Sequence, residues 1–144
     1  MQTIKIAKLD PKAFLPTRKH PSDAGLDIYA NVKMTITAHS FAIVNSGITI
    51  EIDPGFVGLL KPKGRNNHLL GAGVVDAGYQ GEILVKVANP TDQPLEINPG
   101  DAIGQMVILP IYTPVVEEVT IDQIHKDNSS RGNSGGIVDQ HQLK

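Results

Sequence analysis

"FAIVNSGITIEI", residues 41–52, contains the pattern that decides the fold. Apolar and polar residues alternate from Ile48 to Ile52, which is the period of a half-buried β-strand and not of a helix. Short runs rich in Val, Ile and Leu recur on both sides of this stretch, and Gly or Pro separates them at short intervals. Pro and Gly at such intervals break helices longer than a few turns. The sequence therefore predicts an all-β domain, either a sandwich, a jelly roll or a barrel.

The predicted strands extend outward from that stretch in both directions. They are TIKIAKL, LDIYA and KMTITA before it, and GFVGLLKP, GVV, EILVKV, LEINPG, AIGQMVILP and VVEEVTI after it. The segment between GVV and EILVKV contains turn residues, so a plain hairpin with a solvated Asp76 and a half-buried Tyr79 is its simplest interpretation.

Size and composition limit the class of protein. The 144 residues suffice for one compact domain, and the formal charge of -2 argues against a non-specific nucleic-acid coat, which needs a strong basic excess. The absence of cysteine excludes disulfides and thiolate zinc sites. The N-terminus lacks the pattern of a secretory signal, and no apolar run is as long as a membrane span. We therefore expect no nucleic-acid or membrane partner and a cytoplasmic location.

The composition changes near the end of the chain, where residues after Ile124 are polar and rich in Gly and Ser. We expect residues 1–124 to form the β domain and residues 125–144 a flexible C-terminal arm. Composition leaves two roles open for this arm: a disordered tail, or a mobile segment that grips phosphate through Arg131 and the neighbouring glycines. It has no strand–loop–helix context, so it is not a P-loop by pattern.

Two stretches combine charge with turn residues. In SDAGLDIYA, Asp27 lies near the start of an alternating strand. The stretch is either a plain loop that leads into the strand, or a site where Asp27 faces a metal or a polar pocket. In LLKPKGRNNHLLGAG, Lys63 and Arg65 precede the amides of Asn66 and Asn67. Cationic side chains and amide donors suit a phosphate group, although a solvated basic turn has the same composition.

The order of these stretches resembles the five motifs of the trimeric dUTP pyrophosphatases, or dUTPases. DAGLDIYA is similar to the first motif, KPKGRNN occupies the place of the second, and GAGVVDAGYQGEI matches the third nearly throughout. GDAIGQMVILP resembles the fourth motif and RGNSGG the start of the fifth. The resemblance covers residues 3–136, and the third motif is its most specific part.

This resemblance implies a small jelly roll of the β-clip type that assembles as a homotrimer. Each active site would lie between subunits, and the C-terminal arm of one subunit would close the site of another. The implied reaction is hydrolysis of dUTP to dUMP and pyrophosphate, in which water attacks the α-phosphorus with the assistance of Mg²⁺.

The resemblance also assigns roles to residues of the first and third motifs. Asp76 would hold the attacking water, and Tyr79 would pack under the deoxyribose and reject ribonucleotides. Gly73 and Val74 would present backbone groups to uracil. Asp27 would contact the Mg²⁺ through water.

The remaining motifs would bind the phosphates. Arg65 and Gln105 are the expected catalytic residues there, and Asn66 and Asn67 are expected to bind substrate. The arm would contribute a further set of substrate-binding residues, namely Arg131, Gly135, Gly136 and Ile137.

Three positions depart from the family pattern. Asn66 replaces the serine of the second motif, so that an amide donor stands where the family has a hydroxyl. Ile137 replaces the phenylalanine of the fifth motif, which removes an aromatic stack on uracil. Ala102 stands where a basic residue is common in the fourth motif.

Two alternatives to the pyrophosphatase share its fold. The first is a nucleotide-binding or regulatory protein with weakened catalysis, which the variant second and fifth motifs favour. The second is a dCTP deaminase, which needs an acid/base group beside the base ring; the nearest candidate is Glu82.

Overall fold

The computed structural model describes residues 3–71 and 73–125. Every regular element in this part of the chain is a β-strand, which confirms the all-β prediction. The strands are β1 (Lys5–Lys8), β2 (Gly25–Tyr29), β3 (Met34–Ile36), β4 (Ser40–Asn45), β5 (Ile48–Glu51), β6 (Phe56–Lys61), β7 (Leu69–Leu70), β8 (Gly73–Val75), β9 (Leu84–Asn89), β10 (Leu95–Ile97) and β11 (Ala102–Pro110). Within the same ranges, no helix is long and apolar enough to cross a membrane.

The strands pair antiparallel in four small sheets. The largest has the order β2-β11-β6-β8, the next has the order β4-β9-β7, and β1-β5 and β10-β3 form two-stranded sheets. Strands that are far apart in sequence are therefore neighbours in space, as expected for a jelly roll.

Aliphatic side chains fill the space between the sheets. The most deeply buried members of this core include Ile28, Ile48, Val87, Ile103 and Met106. In β2 and β5 the buried positions alternate with partly exposed ones, as the sequence pattern predicts. The alternation therefore fixes which face of each strand is turned toward the core.

The stretch that indicated the fold divides into two strands. β4 and β5 are separated by a tight turn at Ser46 and Gly47, where the backbone of Gly47 has a φ of 69°. This left-handed conformation favours glycine, because other residues meet a steric cost there. The turn is important for the site, because it lies against the segment that follows β8.

The plain-hairpin interpretation of the segment after β8 is wrong. β8 pairs with β6, whereas β9 pairs with β4 and β7, so residues 76–83 connect two different sheets. Turn residues indicate that the chain changes direction, but they do not specify which distant strand each neighbour will join.

The predicted strand VVEEVTI is also absent. The compact β unit ends at Thr113, and residues 114–125 belong to a second unit without a strand. The side chains of Val115 and Val116 are 94% and 93% exposed, so their β-branched character is not used for packing here. The predicted arm over 125–144 stays a prediction, because residues 126–144 lie outside the described residues.

Candidate active site

An irregularity in β11 organises one half of the site. The register of β11 against β2 shifts between Ala102 and Gly104, which leaves Ile103 as an extra residue in a β-bulge. A bulge disrupts the ladder locally, so nearby carbonyl groups need other donors. Side chains from the loop after β6 supply them.

Two side chains of that loop bind the carbonyl groups at the bulge. Asn66 Nδ2 donates to the Ala102 oxygen at 3.0 Å, and the ring Nε2 of the buried His68 lies 2.8 Å from the Ile103 oxygen. Since a carbonyl oxygen only accepts, His68 carries a proton on Nε2. The 3.4 Å approach of Asn66 Nδ2 to His68 Nε2 is then a contact between two donors and not a hydrogen bond.

Gln105 adds a third link between the loop and β11. Its Nε2 donates to the Pro62 oxygen at 3.0 Å. Gly25 makes room for this side chain, because a Cβ at position 25 would lie 2.2 Å from Gln105 Oε1. The loop of the second motif is therefore held on β11 at three points, next to β2.

These contacts create a cationic pocket of about 490 Å³. Lys63 forms an ion pair with Asp27 there, and the two side chains are only 16% and 19% exposed. Arg65 and Gln105 also line the pocket, while the Arg65 side chain stays exposed. Asn67 is exposed in the same loop. Lys19 and Asp23 complete the charged lining, so three cationic side chains face two carboxylates. The pocket can bind an anion, because cationic and amide donors are in excess there.

A second pocket of about 220 Å³ lies between β8 and the start of β9. Gly73, Val74 and Tyr79 line it, with Leu60 at its base and Glu82 beside the tyrosine. Its walls combine apolar side chains with the backbone of an edge strand. This combination suits a flat heterocycle that exchanges hydrogen bonds with main-chain groups.

Asp76 lies directly after β8, beside the second pocket. Its side chain is exposed, and it accepts no hydrogen bond from the described residues. The turn that begins there is closed by a bond from the Tyr79 nitrogen to the Asp76 carbonyl at 3.0 Å. The carboxylate is therefore available to water or ligand.

The two pockets have no lining residue in common. β2 and β8 form opposite edges of one four-stranded sheet, three strand spacings or about 14 Å apart. One chain thus forms two separate groups of predicted site residues. The first group lies at the cationic pocket and consists of Asp27, Lys63, Arg65 and Gln105. The second group lies at or next to the second pocket and consists of Gly73, Val74, Asp76 and Tyr79. A single chain does not unite these two groups.

No group of three or more His, Cys, Asp or Glu side chains in residues 3–71 and 73–125 could enclose a metal ion. Asp23 and Asp27 are the two carboxylates that line the cationic pocket together with Lys63 and Gln105. This donor set does not suit a metal held by protein ligands alone. It does suit a Mg²⁺ that keeps its waters and takes its other ligands from phosphate oxygens.

Comparison with known proteins identifies the family. The family model described as dUTPase matches residues 12–135. The chain belongs to the dUTPase family. The deoxyuridine 5'-triphosphate nucleotidohydrolase of Rhodococcus erythropolis is 35% identical over 93% of this chain and 87% of its own length. The enzyme of the same name from Candida albicans is 33% identical over 93% and 86%.

Solved dUTPase structures share the fold. The dUTPase of Staphylococcus bacteriophage 80alpha with dUPNHPP has a TM-score of 0.83 and 25% identity, over 94% of this chain and 96% of that one. A mutant dUTPase from phage phi11 of S. aureus, whose structure describes a structural Mg(II) ion, has a TM-score of 0.77 and 25% identity, over 82% and 97%. The predicted jelly-roll class is therefore confirmed.

Two residues of this dUTPase family member matter more than the sequence indicated. Lys63, and not only Arg65, occupies the cationic pocket, where it pairs with Asp27. Glu82 binds the β4–β5 turn and lies against Tyr79. The sequence did point to Lys63, because it lies in a basic loop that was predicted to bind phosphate. The sequence named Glu82 only as a possible acid/base group, and its contact with the turn was not predictable because Asn45 and Gly47 lie more than thirty residues away in the chain.

Proposed function

We propose that this chain hydrolyses dUTP to dUMP and pyrophosphate by attack of a water molecule that Asp76 orients. Family membership supports the reaction. The observation that carries the mechanism is the exposed carboxylate of Asp76, which accepts no hydrogen bond from the described residues and directly follows the strand whose Gly73 and Val74 line the second pocket. A carboxylate in this position can accept a hydrogen bond from the attacking water and then its proton.

The second pocket would select the nucleoside. Uracil would contact the backbone of Gly73 and Val74, which lie on an edge strand of the sheet. The ring of Tyr79 would pack under the deoxyribose and leave no room for a 2′-hydroxyl. The support is the small volume of this pocket and the position of the ring in its wall.

The cationic pocket would bind the triphosphate. Lys63, Arg65 and Gln105 surround one space, and Asn66 and Asn67 lie in the same loop. When water attacks the α-phosphorus, the bond to the bridging oxygen breaks and negative charge develops on the leaving pyrophosphate. Cationic donors fixed beforehand stabilise that charge, because they need no reorganisation during the reaction.

Mg²⁺ would be held by phosphate oxygens and by waters, one of which Asp27 would contact. When bound, the ion neutralises phosphate charge and aligns the triphosphate. Asp27 remains able to do this while it is paired with Lys63, because a carboxylate has more acceptor positions than one ammonium group uses.

A complete site requires a second copy of the chain. The support is the separation of the two pockets at opposite sheet edges. An apolar outer surface on the β4-β9-β7 sheet, which includes Phe41, Ile43, Leu69 and Leu84, is also consistent with self-association. We therefore propose a homotrimer in which Asp76 of one copy acts beside Lys63 and Arg65 of another.

The C-terminal arm would close this site. Its expected substrate contacts lie outside the described residues, namely Arg131, Gly135, Gly136 and Ile137. Their roles therefore rest on the family resemblance, whereas the proposed cytoplasmic location and the expectation of no nucleic-acid partner rest on the composition and charge of the sequence.

The deaminase alternative depends on Glu82, and the structure disfavours that role. Both carboxylate oxygens of Glu82 accept hydrogen bonds, from Asn45 Nδ2 at 3.0 Å and from the Gly47 nitrogen at 2.7 Å. These two bonds hold the carboxylate on the β4–β5 turn, which is a structural role. The free carboxylate beside the second pocket is that of Asp76, which also argues against a protein that binds nucleotide but has lost catalysis.

The decisive test measures products from dUTP and dCTP separately. Wild-type protein with Mg²⁺ should release pyrophosphate from dUTP and no ammonia from dCTP. Asp76→Asn should lower kcat by at least about a hundredfold, which corresponds to roughly 2.7 kcal/mol of barrier, and should leave binding of dUPNHPP largely intact. A fall smaller than about tenfold would assign the key acid to another residue.

A further inference from the structure

A hydrogen bond within its own loop fixes the position of the Tyr79 ring. The Tyr79 hydroxyl donates to the backbone oxygen of Glu82 at 2.7 Å. Gly81 allows this close approach, because a Cβ at position 81 would lie 2.6 Å from the hydroxyl oxygen. Tyr79 is nevertheless 43% exposed, so packing covers it only in part. Its orientation therefore depends on where the backbone of residue 82 is held.

The backbone of residue 82 is held by the β4–β5 turn. Glu82 Oε1 accepts a bond from the Gly47 nitrogen at 2.7 Å, and Oε2 accepts one from Asn45 Nδ2 at 3.0 Å. The next residue is also held, because the buried Ser46 hydroxyl donates to the Ile83 oxygen at 2.5 Å. The carboxylate thus reaches across between two sheets and fixes the loop that carries Tyr79.

The turn itself is rigid. A Cβ at Gly47 would lie 2.8 Å from the Ala13 side chain, and the Gly47 oxygen accepts bonds from the nitrogens of Leu9 and Asp10. A carboxylate bound to a rigid turn restricts the motion of its own loop, since movement would break two hydrogen bonds to a charged group.

We infer that Glu82 is a positioning residue that sets the discrimination between deoxyribose and ribose nucleotides, by fixing the Tyr79 ring through the Asn45–Gly47 turn. This inference rests on the proposed function, because the ring excludes a 2′-hydroxyl only if the sugar lies against it. Glu82 acts through Tyr79 and does not touch the reacting atoms. Its loss should therefore affect sugar selection more than the chemical step.

The hydrogen-bond pattern predicts that, at position 82, sugar discrimination depends on the shape of the side chain more than on its negative charge. In Glu82→Gln, the amide oxygen can accept the bond from the Gly47 nitrogen. The amide nitrogen can donate to Asn45, whose side chain only needs to rotate so that its oxygen faces the new donor. Both links then survive without a negative charge. Glu82→Ala removes both links and leaves the Gly47 nitrogen without its partner.

The experiment compares kcat/KM for dUTP and for UTP. In Glu82→Ala, the ratio of the two should fall by at least about tenfold relative to the wild type, whereas Glu82→Gln should stay within about threefold. Glu51→Ala is the matched control, because Glu51 forms only an exposed ion pair with Lys5 on the neighbouring strand. It should leave the ratio unchanged.

Two outcomes would overturn the inference: an unchanged ratio in folded Glu82→Ala, which includes an equal loss for both substrates, or the same change in Glu51→Ala. If Glu82→Ala does not fold, Tyr79→Phe replaces it. That variant keeps the ring, loses only the bond to the Glu82 oxygen, and should lower the ratio severalfold; an unchanged ratio would count against the inference.

A measurement without turnover separates this inference from the proposed function. Calorimetric titration with dUMP and UMP reports sugar discrimination alone. If the wild type binds dUMP more tightly than UMP and Glu82→Ala loses that preference, the inference stands even where dUTP is not hydrolysed. Equal preference in both proteins would overturn it.

Discussion

Asn66 shows how one substituted residue can serve both the fold and the site. Its side-chain nitrogen donates to the Ala102 carbonyl at the β11 bulge, a bond that a serine at the same position is too short to make. One amide hydrogen is used there, which leaves one for a phosphate oxygen. The residue that replaces the family serine therefore has a structural partner of its own.

This dual role gives a prediction with two readouts. Asn66→Ala should lower the free energy of unfolding by about 1 kcal/mol, because the Ala102 carbonyl loses its donor. It should also lower kcat/KM for dUTP by roughly ten- to a hundredfold, since a donor to a charged group is removed. Denaturant unfolding and steady-state kinetics measure the two effects.

Asn66→Ser separates these effects. It should lose the same stability but keep the activity, because the hydroxyl can reach a phosphate and not the carbonyl. Asn67→Ala is the control, since Asn67 is exposed and makes no side-chain hydrogen bond to the described residues. A severe loss of activity in Asn67→Ala with a silent Asn66→Ala would move the phosphate contact to residue 67.

At the scale of elements, the alternation of apolar residues predicted most of the strands, although VVEEVTI forms none, and it did not predict which strands are neighbours. LDIYA and AIGQMVILP become β2 and β11, because one face of each strand is buried in the aliphatic core. Their pairing, and the bulge that separates Ala102 from Gly104, depend on contacts between residues far apart in the chain. No local pattern contains that information.

The candidate site divides in the same way. The resemblance to the family motifs predicted Asp76, Tyr79 and Gln105 as site residues, and these assignments remain predictions. The pair of Lys63 with Asp27 joins residues that are 36 positions apart. It exists because the bulge, Gln105 and His68 hold the loop on β11, which only the three-dimensional structure reveals.

A second element-scale feature joins the loop after β1 to the β4–β5 turn. Asp10 accepts hydrogen bonds from the Lys12 nitrogen at 2.9 Å and from Asn31 Nδ2 at 2.8 Å, and its own nitrogen binds the Gly47 oxygen. The bond from Lys12, followed by that from Asn31, lowers the pKa of the Asp10 carboxyl below its usual value. These bonds favour the charged form.

This lowered pKa predicts the direction of a pH effect. Because the pKa is lower in the folded state, the stabilisation is complete above the unfolded value of about 4 and is lost as the pH falls through the folded value. The stability advantage of the wild type over Asp10→Asn should therefore shrink between about pH 6 and pH 3. Urea unfolding across this range measures it.

The matched control for this effect is Asp53→Asn, at an exposed carboxylate near the end of β5. Its stability difference from the wild type should stay nearly constant over the same range. A difference for Asp10→Asn that grows on acidification would contradict the assignment, because it would mean that the folded state favours the protonated carboxyl.

At the scale of the whole molecule, the compact β unit carries two half-sites that do not meet. The proposed nucleoside half includes Tyr79 and the neighbouring Asp76, and the proposed phosphate half includes Lys63 and Arg65. In the proposed homotrimer, two copies of the chain combine these halves. Closed rings with a repeated head-to-tail interface achieve such a combination in homo-oligomers.

The most direct test of this claim is complementation between two inactive variants. One variant carries Asp76→Asn and the other carries both Lys63→Ala and Arg65→Ala, and the two are co-expressed in equal amounts and purified together. If each site combines halves from different copies, random mixing should restore about a quarter of the wild-type rate of pyrophosphate release from dUTP. A mixture no more active than the average of its two parents would contradict the account, because it would mean that one chain forms the whole site.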